Sequence, residues 1–283
     1  MRRTTSLLLL SPSLLLILGL VLGPLLLLLR MCFYRPAPGR GFFVPGSWTL
    51  DNLADLTDPA LLRLILFTCA FALTVAVCSV AVAYLIALLI WPLPARARTV
   101  ALLLVFAPKT AGVVTTMFGL QRLLGETGPL NAVLLGSGVV ASPLALSRNG
   151  FGAAVAESYL IVPVAVLILY LQLATIDGTW IAAARGLGAT RWRTFRRVVL
   201  PLSAPGLALA FELSLMWGLG AFLGPVFLGS PQETTLAVEV YRQSFEYSRW
   251  PRASVLGAVS VLLLFGTWGV FALAGAVRRG RTP

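Results

Sequence analysis

Few residues of this chain can ionise, and where they stand limits what it can do. Three lie inside long apolar runs: Lys109, the only lysine, together with Glu157 and Glu212. A charge in such a run is costly in a bilayer and usually faces a bundle interior or a water-filled path. Lys109 lies about ten residues from the basic end of its run, ~15 Å of helix, and Glu212 about eight residues, ~12 Å, from the basic end of its own. These depths allow a Lys109–Glu212 pair, which would either neutralise two helices or serve transport. Glu157, flanked by Ser158 and Tyr159, enters from the other side. Glu157, Tyr159 and Glu212 are expected to line a path favouring a cation, because acids stand where apolar residues would cost less.

Several chemistries are excluded. The chain has no histidine, which removes zinc sites, histidine acid–base catalysis and Ser-His-Asp triads. Cys69 and Cys78 share one apolar run and Cys32 stands alone, so no pair has metal-ligand spacing. A phosphate-cradling loop ends in Gly-Lys-Ser/Thr. Lys109 follows Pro108, so that motif is absent and ATP hydrolysis is not expected here.

The most informative stretch runs from Asp177 to Pro205, DGTWIAAARGLGATRWRTFRRVVLPLSAP. Ala182-Ala183-Ala184-Arg185 favours helix. Gly188 permits a left-handed or close-packed turn. Thr190 can cap a second short helix through Arg197, on which Trp192 and Phe195 share a face. Pro201 and Pro205 punctuate the start of the next apolar run. The result is a helix-turn-helix elbow with an aromatic knob among Arg191, Arg193, Arg196 and Arg197. A merely solvated basic loop needs none of this patterning, whereas buried aromatic anchors ringed by Arg suit a docking surface.

The elements that carry these residues follow from composition. The 283 residues are 58% hydrophobic and 11% charged, with a mean hydropathy of +0.91. Soluble domains sit near 45–50% apolar and roughly 25% charged. Apolar runs at 7–29, 63–90, 99–121, 151–171, 204–228 and 253–277 each reach the ~20 residues a membrane helix needs, which predicts an all-α protein of six transmembrane helices. The first run is too long for a cleaved signal and lacks an Ala-x-Ala site, so it reads as an uncleaved anchor. Asp58-Pro59 is a helix start. The stretch 122–150 is too broken by Gly and Pro for a full span and suits an interfacial or re-entrant loop. The domain reading is 1–62 for the anchor helix and outer segment, and 63–283 for the core, with the elbow in a loop at 172–203.

Net charge is +12. In a membrane chain, Arg-rich loops mark the cytoplasmic side better than they mark a nucleic-acid partner, and none is expected. With both termini inside, the inner set holds Arg2, Arg3, Arg96, Arg98, Arg185, Arg191, Arg193, Arg196, Arg197, Arg278, Arg279 and Arg281, against the single acid Asp177. The outer set holds nine basic residues and seven acids, Asp51, Asp55, Asp58, Glu126, Glu233, Glu239 and Glu246. The expected location is a bacterial inner membrane, multi-pass, both termini cytoplasmic.

The spacing of Ala183, Ala184, Gly188, Ala189, Phe195, Leu200 and Pro201 resembles the signature loop of ATP-binding-cassette importer permeases. Ala182 stands where that family usually has Glu. SWTLDNLADL, GPLNAVL and GAFLGPVFLGSPQETTLAVEVY are similar to the spermidine/putrescine-type branch, whose relatives also handle opines, aminoethylphosphonate, ferric ion and thiamine. The resemblance implies a type I importer permease fold whose elbow is a coupling helix seated on an ATPase. It implies Gly188 for the turn, Trp192 and Phe195 for the knob, and Arg191 and Arg193 against the ATPase surface. It further implies a second homologous permease forming a heterodimer, two ATP-binding subunits, an extracytoplasmic solute-binding protein and surrounding lipid. ATP and Mg would sit on the partner, with no cofactor on this chain. The implied cargo is a small polar or cationic, polyamine-like solute.

Two other classes predict different features. An ion-coupled secondary transporter would show buried ion ligands and paired broken helices. A membrane scaffold would recruit a soluble partner through the basic loop without moving solute.

Overall fold

The structure, a computed structural model, describes residues 2–39 and 41–279. Arg281 lies outside the described residues, as do the side chains of Arg2, Arg3, Asp55, Arg278 and Arg279. Five helices among the described residues are long and apolar enough to cross a membrane. A pair bent by 96° makes a sixth crossing when counted as one span. The chain divides into two units, residues 1–63 with 239–263, and 64–238 with 264–283.

In the first unit, α1 (Arg2–Met31) continues through Pro12 and Pro24. From Leu15 to Leu29 its large apolar side chains, Leu25 and Leu28 apart, are exposed, as lipid contact requires. The segment after it is a folded cap. Tyr34 is buried, bridges to Trp48 and stacks on Phe43 with ring centroids 4.6 Å apart. Asn52, on the one-turn α2 (Asp51–Ala54), donates Nδ2 hydrogen bonds to the carbonyls of Cys32 (2.9 Å) and Tyr34 (2.8 Å). The next helix, α3 (Pro59–Ile90), starts as expected: Ala60 N–H donates to Asp58 Oδ1 at 2.8 Å.

In the second unit, α4 (Ala95–Phe106) and α5 (Val113–Leu124) form the bent pair. The third run was expected to be one helix. Pro108 has no N–H to continue the helix, and Ala111 and Gly112 are extended, with ψ of 145° and 135°. The chain turns there and continues into α6 (Pro129–Gly136). Asn131, fully buried, fixes the return: its Nδ2 donates to the carbonyls of Gly125 and Leu144, and its Oδ1 accepts from Leu144 N–H.

At the centre stands α7 (Gly150–Ala174), capped by Asn149 and buried along much of its length. It packs against α10 (Leu200–Leu219) and α11 (Leu223–Leu228). Lipid tails supply no hydrophobic force between helices, so close approach through small residues does the work. A Cβ on Gly218 would lie 2.7 Å from Ala72 Cα, and one on Gly224 would lie 2.5 Å from Ala153 O. Thr235 Oγ1 donates to Ala221 O, and Thr68 Oγ1 accepts from Leu236 N–H, which ties down the stretch leading to α12 (Leu236–Tyr241). The last helix is α13 (Trp250–Arg279).

Candidate functional site

The elbow is built from two caps and one glycine. After α7, Asp177 Oδ1 accepts the Thr179 N–H at 2.9 Å and starts α8 (Gly178–Gly186). Hydrogen bonds from the Thr179 backbone and hydroxyl hold the exposed Asp177 carboxyl below its ordinary range. At the far end, Ala189 N–H reaches Ala184 O and Gly188 N–H reaches Arg185 O, with Gly188 at φ +79°. This is a Schellman stop, and its left-handed residue is the expected glycine. Thr190 Oγ1 accepts from Arg193 N–H at 3.3 Å and caps α9 (Arg191–Thr194).

The second arm departs from expectation. It is not a separate helix ending near Arg197: α9, a π-helical turn at Phe195–Val199 and α10 run on as one helix from Arg191 to Leu219. Pro201 lacks the N–H that would bond one turn back, and Leu200 N–H reaches Phe195 O in the wider π pattern. Proline here widens the turn instead of ending the helix.

The two rings of the expected knob also divide. Trp192 is 68% exposed and stacks on Phe195 at 5.6 Å. Phe195 is half-buried and turns inward onto Tyr84 of α3, with centroids 6.2 Å apart. The Tyr84 hydroxyl in turn meets Ser203 Oγ of α10 at 2.7 Å. Ile181 and Phe195 pack on the core cluster of α3, α7 and α10, which fixes the elbow's inner face. The outer face carries exposed Trp180, Leu187 (90% exposed) and Trp192, with exposed Arg185, Arg191, Arg193, Arg196 and Arg197. Ala183 is exposed and Ala184 and Ala189 are half-buried, so all three contribute backbone and small size to the turn. Trp180 and Leu187 escaped the sequence reading; an apolar residue beside the glycine stop was the available signal.

Deeper in the bundle, Glu157 is 2% exposed. Its Oε2 accepts Trp217 Nε1–H at 2.9 Å and its Oε1 accepts Gly224 N–H at 2.8 Å. In the structure both oxygens of this carboxyl, expected to line a path, brace α7 against α10 and α11. The Lys109–Glu212 pair does not form among the described residues. Lys109 sits in the short 3-10 turn Ala107–Thr110 at the break, off any continuous helix, and its Nζ lies over the Trp217 ring, 5.6 Å from the centroid. Glu212 is half-buried on α10. Tyr159 is partly exposed and lines an open, largely apolar cavity of about 870 Å³ beside α3, α4 and α7. Among the described residues no group of three or more His, Cys, Asp or Glu side chains could hold a metal ion.

Comparison with known proteins gives a consistent result. Residues 1–279 match the family described as binding-protein-dependent transport system inner membrane component. The spermidine/putrescine transport system permease protein PotB of Haemophilus influenzae is 27% identical over 250 residues, 87% of this chain and 86% of that protein. PotB of Salmonella typhimurium is 27% identical over 231 residues, 82% of this chain and 79% of its own length. Among solved structures, a bacterial ABC transporter that imports the acidic polysaccharide alginate superposes with a TM-score of 0.75 at 18% identity, covering 100% of this chain and 97% of that one. At that identity the likeness concerns the fold.

Proposed function

Given that the chain belongs to the binding-protein-dependent transport system inner membrane component family, the permeases of ATP-binding-cassette importers, we propose that it carries a small cationic solute of the polyamine type. It is a multi-pass inner-membrane subunit. The 27% identity to PotB along most of the chain supports the solute class. The excess of Arg in the elbow supports an orientation with elbow and termini in the cytoplasm.

One observation carries the coupling role. The elbow's inner face is bound to the helix bundle, while its outer face offers Trp180, Leu187 and Trp192 among five exposed arginines, Arg185, Arg191, Arg193, Arg196 and Arg197. A rigid tip with apolar anchors and a basic rim suits a groove on a soluble partner. That partner is an ATP-binding subunit, where ATP and Mg would bind and the ATP be hydrolysed. A second, homologous permease completes the path as a heterodimer, each permease resting on its own ATPase, and a separate solute-binding protein delivers the cargo. The permease core is residues 63–283, with the coupling loop at 172–203.

In operation, closure of the ATPase pair drives the two elbows together. Because the second arm of each elbow is continuous with α10, the displacement passes directly into the bundle. The bundle then moves between inward-open and outward-open states, and the free energy comes from the partner's different nucleotide affinities in those states. Tyr159, lining the open cavity, the half-buried Glu212, and Glu157 through the Trp217 ring it orients are the path residues for a cationic solute; Lys109 lies beside Tyr159 at the break.

Uptake of labelled putrescine by the full assembly in liposomes tests the reading. Uptake that needs both ATP and the binding protein is expected. Uptake driven by an ion gradient without ATP would overturn it.

A further inference from the structure

Lys109 occupies a seat that fits a cation. Trp217 on α10 donates its indole N–H to Glu157 Oε2, and Lys109 Nζ lies over the same ring at 5.6 Å, within the range of a cation–π contact. Both Glu157 oxygens accept N–H donors, the pattern a carboxylate offers, and Gly224 N–H holds the second one fixed. An indole whose N–H is bound to a carboxylate is polarised toward a more negative face, which strengthens its attraction for a cation. The same bond keeps the ring from turning.

The seat is open on one side. Trp217 is 39% exposed, and a cavity of about 110 Å³ lies beside it, lined by Lys109, Thr116, Tyr159, Leu160, Trp217 and Leu223. Lys109 makes no ion pair among the described residues, so no acid anchors its ammonium. It is exposed and springs from the turn at the α4–α5 break. Among the described residues, the indole face is what holds it.

We propose that the face of Trp217 is a binding site for an alkylammonium group of the transported solute, and that Lys109 is its tethered occupant, displaced as the solute arrives. The proposal rests on the cationic-solute reading above. Leu160 and Leu223 give methylene groups an apolar wall, and Thr116 and Tyr159 bring hydroxyls that can accept from an ammonium. A bare metal ion finds no carboxylate among the residues that line this cavity. An anion meets the repulsive face of the indole.

The test uses the complete importer in liposomes, with labelled putrescine as cargo and n-butylammonium or n-butanol as competitor. In the unaltered protein n-butylammonium suppresses uptake and n-butanol, of similar shape without charge, does not. Lys109→Met removes the tethered rival and should lower the n-butylammonium concentration needed by about five-fold, the size of one partly exposed cation–π contact. Trp217→Leu should raise it by at least as much, and Trp217→Phe should fall between. If Trp217→Leu fails to assemble with the ATPase, the Lys109→Met shift decides alone. Competition curves unchanged in Lys109→Met, with putrescine uptake intact, overturn this site and leave the solute class standing. No putrescine uptake by the unaltered assembly overturns the solute class, and the site with it.

Discussion

The Tyr84 hydroxyl and Ser203 Oγ lie 2.7 Å apart, 119 residues distant in sequence, and join α3 to α10 just above the elbow. On the same tyrosine rests Phe195, and on Phe195 rests Trp192. A contact chain therefore runs from the exposed tip of the elbow into two membrane helices.

Tyr84→Phe keeps the ring stack and deletes the hydroxyl. A hydrogen bond of this kind is worth about 0.5–1.5 kcal/mol. The expected outcome is about a three-fold fall in solute moved per ATP hydrolysed, with the ATPase still bound. Measuring uptake and phosphate release on one liposome preparation gives the ratio, and Ser203→Ala should reproduce it. An unchanged ratio in both variants would remove this link from the coupling route.

Gly188 sits at φ +79°, where a side chain costs about 1–2 kcal/mol. Gly188→Asp should uncouple hydrolysis from uptake while the chain still inserts. Asparagine shares aspartate's tolerance of the left-handed region but adds no negative charge beside the arginines, so Gly188→Asn should restore part of the transport. Normal uptake in Gly188→Asp would remove the coupling role from the elbow.

Trp192→Ala removes the exposed apolar tip. Loss of a central aromatic anchor costs about 2 kcal/mol or more, roughly a thirty-fold weaker partner. Titrating the detergent-solubilised permease pair with the ATPase reads this directly, and an unaltered affinity would place the docking contact elsewhere.

Asp177 gives the elbow a pH dependence. Its hydrogen bonds to Thr179 depress its pKa in the folded state. The stabilisation is thus complete above the ordinary carboxylate range and fades as pH falls through the lowered value. Amide protection at the start of α8, taken relative to the intrinsic exchange rate at each pH, should fall only in acid. Asp177→Asn keeps the cap without the titration and should flatten that profile. Identical acid profiles for both proteins would assign the effect to another group.

Glu157→Gln places an NH₂ group against one of two N–H donors, Trp217 Nε1 or Gly224 N. One buried donor is left unpaired, at a cost of about 1–3 kcal/mol. A lower melting temperature of the assembled complex is the expected result; equal melting would mean the brace is dispensable.

The elbow was legible in the sequence because its residues act on their own backbone. A glycine stop and a threonine cap carry their geometry with them, wherever the helices go. The intramembrane groups were not legible in that way. Depth was counted along an ideal helix, and Pro108 with Gly112 broke that helix beneath Lys109. Glu157 stood in the sequence as an acid amid apolar residues, with nothing to name its partners. Its partners, Trp217 and Gly224, lie 60 and 67 residues away, and helices apolar on every side give no period from which to read which face meets which. The π-helical turn escaped for a related reason: Pro201 read as punctuation at the start of the next span, and only the surrounding bundle made it a widening.

That widened turn has a phase consequence. A π bulge is one residue inserted into an otherwise regular helix. Removing one residue within 195–199 would restore the ordinary spacing and rotate everything beyond it by roughly 100° about the axis. Phe195 would then swing off its seat on Tyr84, carrying Trp192 with it, while α10 kept its place in the bundle. The angular aim of the tip is therefore encoded by a single surplus residue, and a chain one residue shorter would insert normally yet point its indole at the wrong quadrant.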